Sequence, residues 1–233
     1  MPHYYHASIR VDGMLWYHSR SQPSSKFYIS QPLPVFHNYG LTLALSGYIV
    51  DPDVGYVSRF GVTRYKRPAE LFRRFGIYVY PAVVTRAILG ETLMAGLNEG
   101  TVTIRGQSRL AYPFFTKNTV LMPGSELEAL VISEDSMPGK LVARIGAKRN
   151  GVLNIKLKPV RVRWLEYATP THPFNVEDVV RVQGYTVLLP HRAGDIAVFG
   201  RAEHALEYTY IRHGRKYRVV LPALRGVDVW PNP

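Results

Sequence analysis

The 233-residue chain contains no cysteine. That absence excludes disulfides, thiolate zinc sites, iron–sulfur clusters and cysteine nucleophiles together, and it fits a reducing interior. Acidic residues are scarce as well: 17 Asp and Glu stand against 29 Lys and Arg, a formal net charge of +12. Long hydrophobic runs are missing. The longest uncharged apolar stretches, residues 41–50 and 75–84, are about half of the roughly 20 residues that a membrane helix needs. Arg10 and Asp12 stand where a signal peptide requires an apolar stretch. A soluble, cytoplasmic protein without membrane partners is therefore expected. The chain also lacks a P-loop, a GxGxxG fingerprint and a GxSxG elbow.

What is present describes a globular domain. Hydrophobic residues make up 46% and charged residues 20%, which excludes disordered, collagen-like and coiled-coil chains. One large domain over residues 1–233 should bury about 70% of its unfolded surface. So large a cationic excess points to a polyanionic partner, nucleic acid first and an anionic membrane surface second. Sixteen tyrosines add rings that can stack on bases or fill a core.

The patterning predicts an α+β fold. Tyr5, Ala7, Ile9 and Val11 alternate with His6, Ser8 and Arg10, a strand with one buried face. Residues 19–34, with three prolines, read as a loop, and residues 37–46 (HNYGLTLALS) as a helix. Residues 51–74 interleave Arg and Lys with Tyr and Phe and read as an excursion from the core. Residues 76–84 are β-rich, with Pro81 implying an edge or bulge. Thr85 is placed to cap a helix in which Leu89, Leu93 and Leu97 recur every fourth residue. Residues 101–105, 126–133 and 140–145 predict strands, the first two flanking a basic aromatic loop. Leu153, Ile155 and Leu157, then Val160, Val162 and Trp164, alternate with Asn154, Lys156, Lys158, Arg161 and Arg163. They read as a hairpin-like pair with one apolar and one cationic face. Residues 207–212 and 216–221 form a last hairpin around His213–Gly214.

Binding chemistry concentrates in two segments. Arg105, Arg109, Tyr112, Phe115 and Lys117 mix cations for phosphates with rings for bases around a glycine, the combination used in single-stranded RNA recognition. A surface loop whose rings cover the core would carry the same residues. Arg144, Lys148 and Arg149 surround a glycine turn whose backbone N–H groups could cradle a phosphate; a solvated turn is the plain alternative. Catalytic signals are weaker. None of the eight histidines falls in an HxH or HExxH spacing, so no metal site is expected. The pairs Glu134–Asp135 and Glu177–Asp178 read as solvated loop acids. A metal-independent ribonuclease needs only a positioned base and a cation, which leaves open His213 among Arg212, Arg215 and Lys216, and His191 beside Arg192.

The order YYHASIRVDGMLWYHS, HNYG, GQSRLAYPFF, MPGSELEALVIS and ARIGAKRNGV, over residues 3–165, resembles the backbone-capping RAMP subunit of a CRISPR Cascade complex. The likeness is greatest to the type I-D form, called Csc-one, within the Cas-five family. The resemblance implies a ferredoxin-like (RRM-like) palm, with a thumb at about residues 85–124, and here additional C-terminal strands. It implies a non-catalytic subunit that binds the 5′ handle of the guide RNA (crRNA). Its partners would be the backbone filament, which it caps, and the large subunit near the protospacer-adjacent motif of target DNA. On this likeness the handle meets His37, Asn38 and Tyr39, and Arg144, Lys148 and Arg149. Ala147 stands where the family often has a second basic residue. No cofactor is implied. One subtype's relative cuts RNA, so a RAMP-type endoribonuclease processing the guide precursor is the second expectation.

Overall fold

A computed structural model describes residues 2–16, 21–23, 27–30, 34–46, 72–73, 75–96, 101–104, 107–110, 114–145, 151–190 and 194–225. The alternation in the first strand, β1 (His3–Val11), serves two apolar layers. Tyr5, Ala7, Ile9 and Val11 are buried on one face, and His6 on the other, with Tyr4 half-buried beside it. After β2 (Ser21–Pro23), β3 (Phe27–Ser30) and β4 (Val35–Phe36) comes the helix α1 (Asn38–Leu45). It is followed by β5 (Ile77–Val79), β6 (Ala82–Arg86), β7 (Leu89–Gly96), β8 (Thr101–Ile104), β9 (Gln107–Leu110), β10 (Phe114–Leu121), β11 (Glu126–Ser133), β12 (Lys140–Ile145) and β13 (Gly151–Pro159).

The central sheet runs β12-β13-β1-β11-β6-β4, antiparallel throughout, with β5 and β6 in series along β11. Tyr80 and Pro81 separate those two short strands, as the proline foreshadows, since it has no N–H for a ladder. Yet Tyr80 N–H still donates to the Leu130 carbonyl at 2.9 Å. The helix is held at both ends. The His37 ring accepts from the Tyr39 N–H at 3.1 Å, and Ser46 N–H donates to the Thr42 carbonyl at 3.1 Å. Thr42 Oγ1 also accepts from Val79 N–H at 3.1 Å, tying helix to sheet. Leu41 joins Tyr5, Ala7, Ile9, Ile145 and Ile155 in the core on this face. Each of these leucine and isoleucine side chains stabilises the fold by about 1.5–3 kcal/mol on full burial.

The opposite face is covered by the chain's last third: β14 (Arg163–Ala168), β15 (Phe174–Asn175), β16 (Val182–Gln183), β17 (Thr186–Leu189), β18 (Ile196–Val198), β19 (Arg201–Arg212) and β20 (Arg215–Pro222). Here Tyr78, Tyr80, Leu130 and Ile132 of the central sheet pack against Phe174, Leu206, Tyr208, Val219 and Leu221. The expected hairpin between β19 and β20 is present. Its turn residues His213 (φ 49°) and Gly214 (φ 74°) are both left-handed, as a tight two-residue hairpin turn requires. The chain is thus a strand-rich α+β fold with the helix α1 and helical backbone at Phe72, Arg73 and Phe75.

Three expectations are corrected. Residues 89–96 form β7, not a helix, paired antiparallel with β10. Leucines four apart share a face in a strand as well as in a helix. Moreover, a Cβ at Gly90 would lie 2.5 Å from Met122 Sδ, so the strand pair closes tightly around that glycine. Residues 160–164 do not fold back on β13: that strand pairs with β1 and β12, while β14 pairs with β19 in the C-terminal sheet. Residues 19–34 and 106–123 are not plain loops, because they carry β2, β3, β9 and β10.

Candidate nucleic-acid interface

The alternation read for residues 153–158 is present in β13, and its neighbour in the sheet is β12 rather than residues 160–164. Their apolar residues, Ala143, Ile145, Leu153, Ile155 and Leu157, enter the core. The alternate positions, Lys140, Arg144, Lys156 and Lys158, are exposed on the other face. Lys148 and Arg149 belong to the connection between these strands, outside the described residues. Arg144 therefore stands on a sheet with three other cations, at the end where that connection begins.

The remaining candidates disperse. Arg161 is exposed between β13 and β14. Arg163 lies in the C-terminal sheet, where its guanidinium donates to Glu207 at 3.0 Å, a carboxylate that Arg218 also holds. Arg109 lies on β9 opposite Val102, and Phe115 and Lys117 lie on β10 opposite Ala95 and Leu93; their side chains are outside the described residues. Arg105 and Tyr112 are outside them entirely, as are His191 and Arg192.

The helix start is an interior network. Asn38 is fully buried, and its amide donates to Tyr78 Oη at 3.0 Å and Asp178 Oδ2 at 2.9 Å. Its carbonyl oxygen accepts from Asn175 at 3.2 Å. Tyr78 also donates to Asp178 at 3.0 Å, and burial with that carboxylate alongside pushes the Tyr78 hydroxyl well above its ordinary pKa. Tyr39 is buried against Leu43 and Phe75. His37 is half-buried, its Nε2–H donating to the Gly194 carbonyl at 3.1 Å. Asn38 and Tyr39 thus face the interior, and His37 is partly exposed. Asp178, read from the sequence as a solvated loop acid, is instead the buried acceptor that joins helix, sheet and C-terminal segment. Its partner Asn38 is 140 residues away, a distance no local pattern reports.

A second titratable cluster lies between the two sheets. The His6 ring stacks on Tyr210 at 3.8 Å and approaches Tyr208 Oη at 3.4 Å. Glu128 accepts from Tyr210 and, at 3.2 Å, from Arg212, and lies 4.0 Å from His6. Burial, reinforced by Lys158 and Arg212, lowers the His6 pKa to about 4. Glu128 would oppose that shift, but its charge is already shared with Arg212, so desolvation prevails. His172 is likewise lowered to about 4, chiefly by burial, and its Nε2–H donates to the Pro81 carbonyl at 2.8 Å. No metal-ligand cluster of three or more acids and histidines occurs among the described residues. None of their helices is long and apolar enough to cross a membrane.

A strand-rich α+β domain that exposes four cations on one sheet face is suited to a polyanionic partner. The profile of the family described as type I-D CRISPR-associated protein Cas5/Csc1 matches residues 2–225, nearly the whole chain. The chain belongs to that family and is a subunit of a type I-D CRISPR Cascade complex. No match was found among curated proteins.

Proposed function

We propose that this subunit binds the 5′ handle of the guide RNA and caps the backbone filament beside the large subunit, without cutting RNA. The observation that carries the reading is the family match over residues 2–225. The strand order supports a ferredoxin-like palm. β1, α1, β5/β6, β11 and β13 follow one another in sequence, and the strands stand in the order β13-β1-β11-β5/β6. Hairpin strand β12 occupies the chain between β11 and β13, where a ferredoxin-like fold has its second helix. β7 to β10, inserted between β6 and β11, suit a thumb at about residues 85–124. Handle contacts fall to Arg144 and the adjoining Lys148 and Arg149.

Salt titration with incubation of a labelled precursor RNA tests the reading. Six to eight phosphate contacts give a log–log slope on the order of −4 to −6 for a single strand, with the precursor left intact. A slope shallower than about −2 refutes the RNA reading. Specific cleavage that is lost in His213→Ala establishes the ribonuclease instead.

A further inference from the structure

The C-terminal sheet covers only part of the central sheet. Beyond Arg212 and His213, strands β12, β13, β1 and β11 floor an open cleft of about 650 Å³. Register sets its floor in rows. Lys140, Lys156, Ser8 and Glu128 are successive cross-strand partners, and Val142, Asn154, Arg10 and Glu126 form the next row. All eight line the cleft.

The acids of this surface are already engaged. Glu128 accepts from Tyr210 and Arg212, Glu126 lies 3.7 Å from Arg86, and Asp12 holds Arg10 at 2.7 Å. Lys140 and Lys156 are different. Both are exposed, they stand directly opposite each other, and neither has a carboxylate within ion-pair distance among the described residues. Opposed positions bring Cβ atoms within about 5 Å, where like charges destabilise a sheet. No carboxylate among the described residues pairs with either lysine to offset this repulsion. An anion seated between the two ammonium groups would do so, with the Ser8 hydroxyl next in the row.

We propose that this cleft holds a phosphodiester of a single nucleic-acid strand, Lys140 and Lys156 grasping one phosphate or two neighbouring ones. The proposal rests on the nucleic-acid reading above and adds a second surface to it. A strand is favoured over a compact anion because the cations continue along the sheet. Lys158 lies one two-residue step, about 6.7 Å, beyond Lys156, and Arg144 lies two such steps, about 13 Å, from Lys140 on the other side of the pair, near one and two phosphate steps of an extended strand. Exposed Val142 offers an apolar patch to a base in the adjoining row.

The test measures binding of a short fluorescent single-stranded RNA, and of DNA of the same sequence, to the full chain over a salt series. It compares the parent, Lys140→Gln/Lys156→Gln, and Arg181→Gln/Arg201→Gln, which removes the same charge outside the cleft. The lysine pair should flatten the slope by about 1.4, two contacts at roughly 0.7 each, and the outside pair should flatten it far less. With the repulsion gone, the lysine variant's melting temperature should hold or rise by about 1–3 °C, so lost binding is not lost folding. Loss confined to RNA assigns the cleft to the guide; loss confined to DNA assigns it to the target strand. An unchanged slope in the lysine variant, or equal flattening in the outside pair, overturns the cleft while leaving the RNA reading intact. Displacement of the RNA by polyglutamate more readily than by polyuridylate names an acidic protein segment as occupant and also overturns it. A parent that binds neither strand refutes the RNA reading itself, and the cleft falls with it.

Discussion

Acidification from pH 7 to pH 5 should destabilise this protein. Two buried imidazoles carry the effect. Both His6 and His172 are held near pKa 4, whereas an unfolded histidine titrates near 6.5. The unfolded chain therefore binds more protons than the native one between those values, and stability falls as pH falls through that window. A group with these two pKa values loses on the order of 2 kcal/mol by pH 5, so the pair loses about 4 kcal/mol. That is a large share of the roughly 5–15 kcal/mol that holds a domain together. His6 has little freedom to escape: it is stacked on Tyr210 and sits among Lys158, Arg212 and Glu128. Urea unfolding followed across this pH range measures the loss directly. His6→Phe keeps an aromatic ring against Tyr210 and should remove about half of the pH dependence. A urea midpoint that stays flat from pH 7 to pH 5, or a slope unaltered in His6→Phe, would refute the reasoning.

Two further substitutions test the framework. Asp178→Ala strands the Asn38 amide and the Tyr78 hydroxyl in the interior, and should lower stability by about 2–4 kcal/mol in denaturant unfolding; a loss below about 1 kcal/mol would mean the network is not sealed from water. Gly214→Ala meets no atom within 4 Å but must hold φ near 74°, so it should cost about 1 kcal/mol and lower the melting temperature by about 2–4 °C. An unchanged melting temperature would mean the hairpin turn re-forms in another geometry.

Elements whose signals are local were legible before any coordinates. β1 follows from its alternation, the β19–β20 hairpin from its turn residues, and β11, β12 and α1 from the residue runs 126–133, 140–145 and 37–46. What failed was pairing. The leucines at 89 and 93 satisfy strand and helix alike, and only the partner β10 decides between them. The run after Pro159 keeps the alternation of β13 but leaves for another sheet, so Arg163 is carried away from Lys156. The candidate site suffers from the same gap. The cationic face of β13 could be read from residue order, whereas its pairing with β12 and the opposition of Lys140 to Lys156 exist only once register is known. Asn38 shows the converse: a polar residue at a helix start reads as available for binding until its buried partners are found.

The central claim, that this subunit holds the guide RNA by its constant 5′ end, is tested most directly by sequencing the RNA that copurifies with the native complex through a tag on this chain. The account predicts one population of defined length whose members share a 5′ sequence and differ beyond it, protected from nuclease at that shared end. RNA of mixed length and unrelated 5′ ends, or a complex that carries its guide equally well when this subunit is removed, would contradict it.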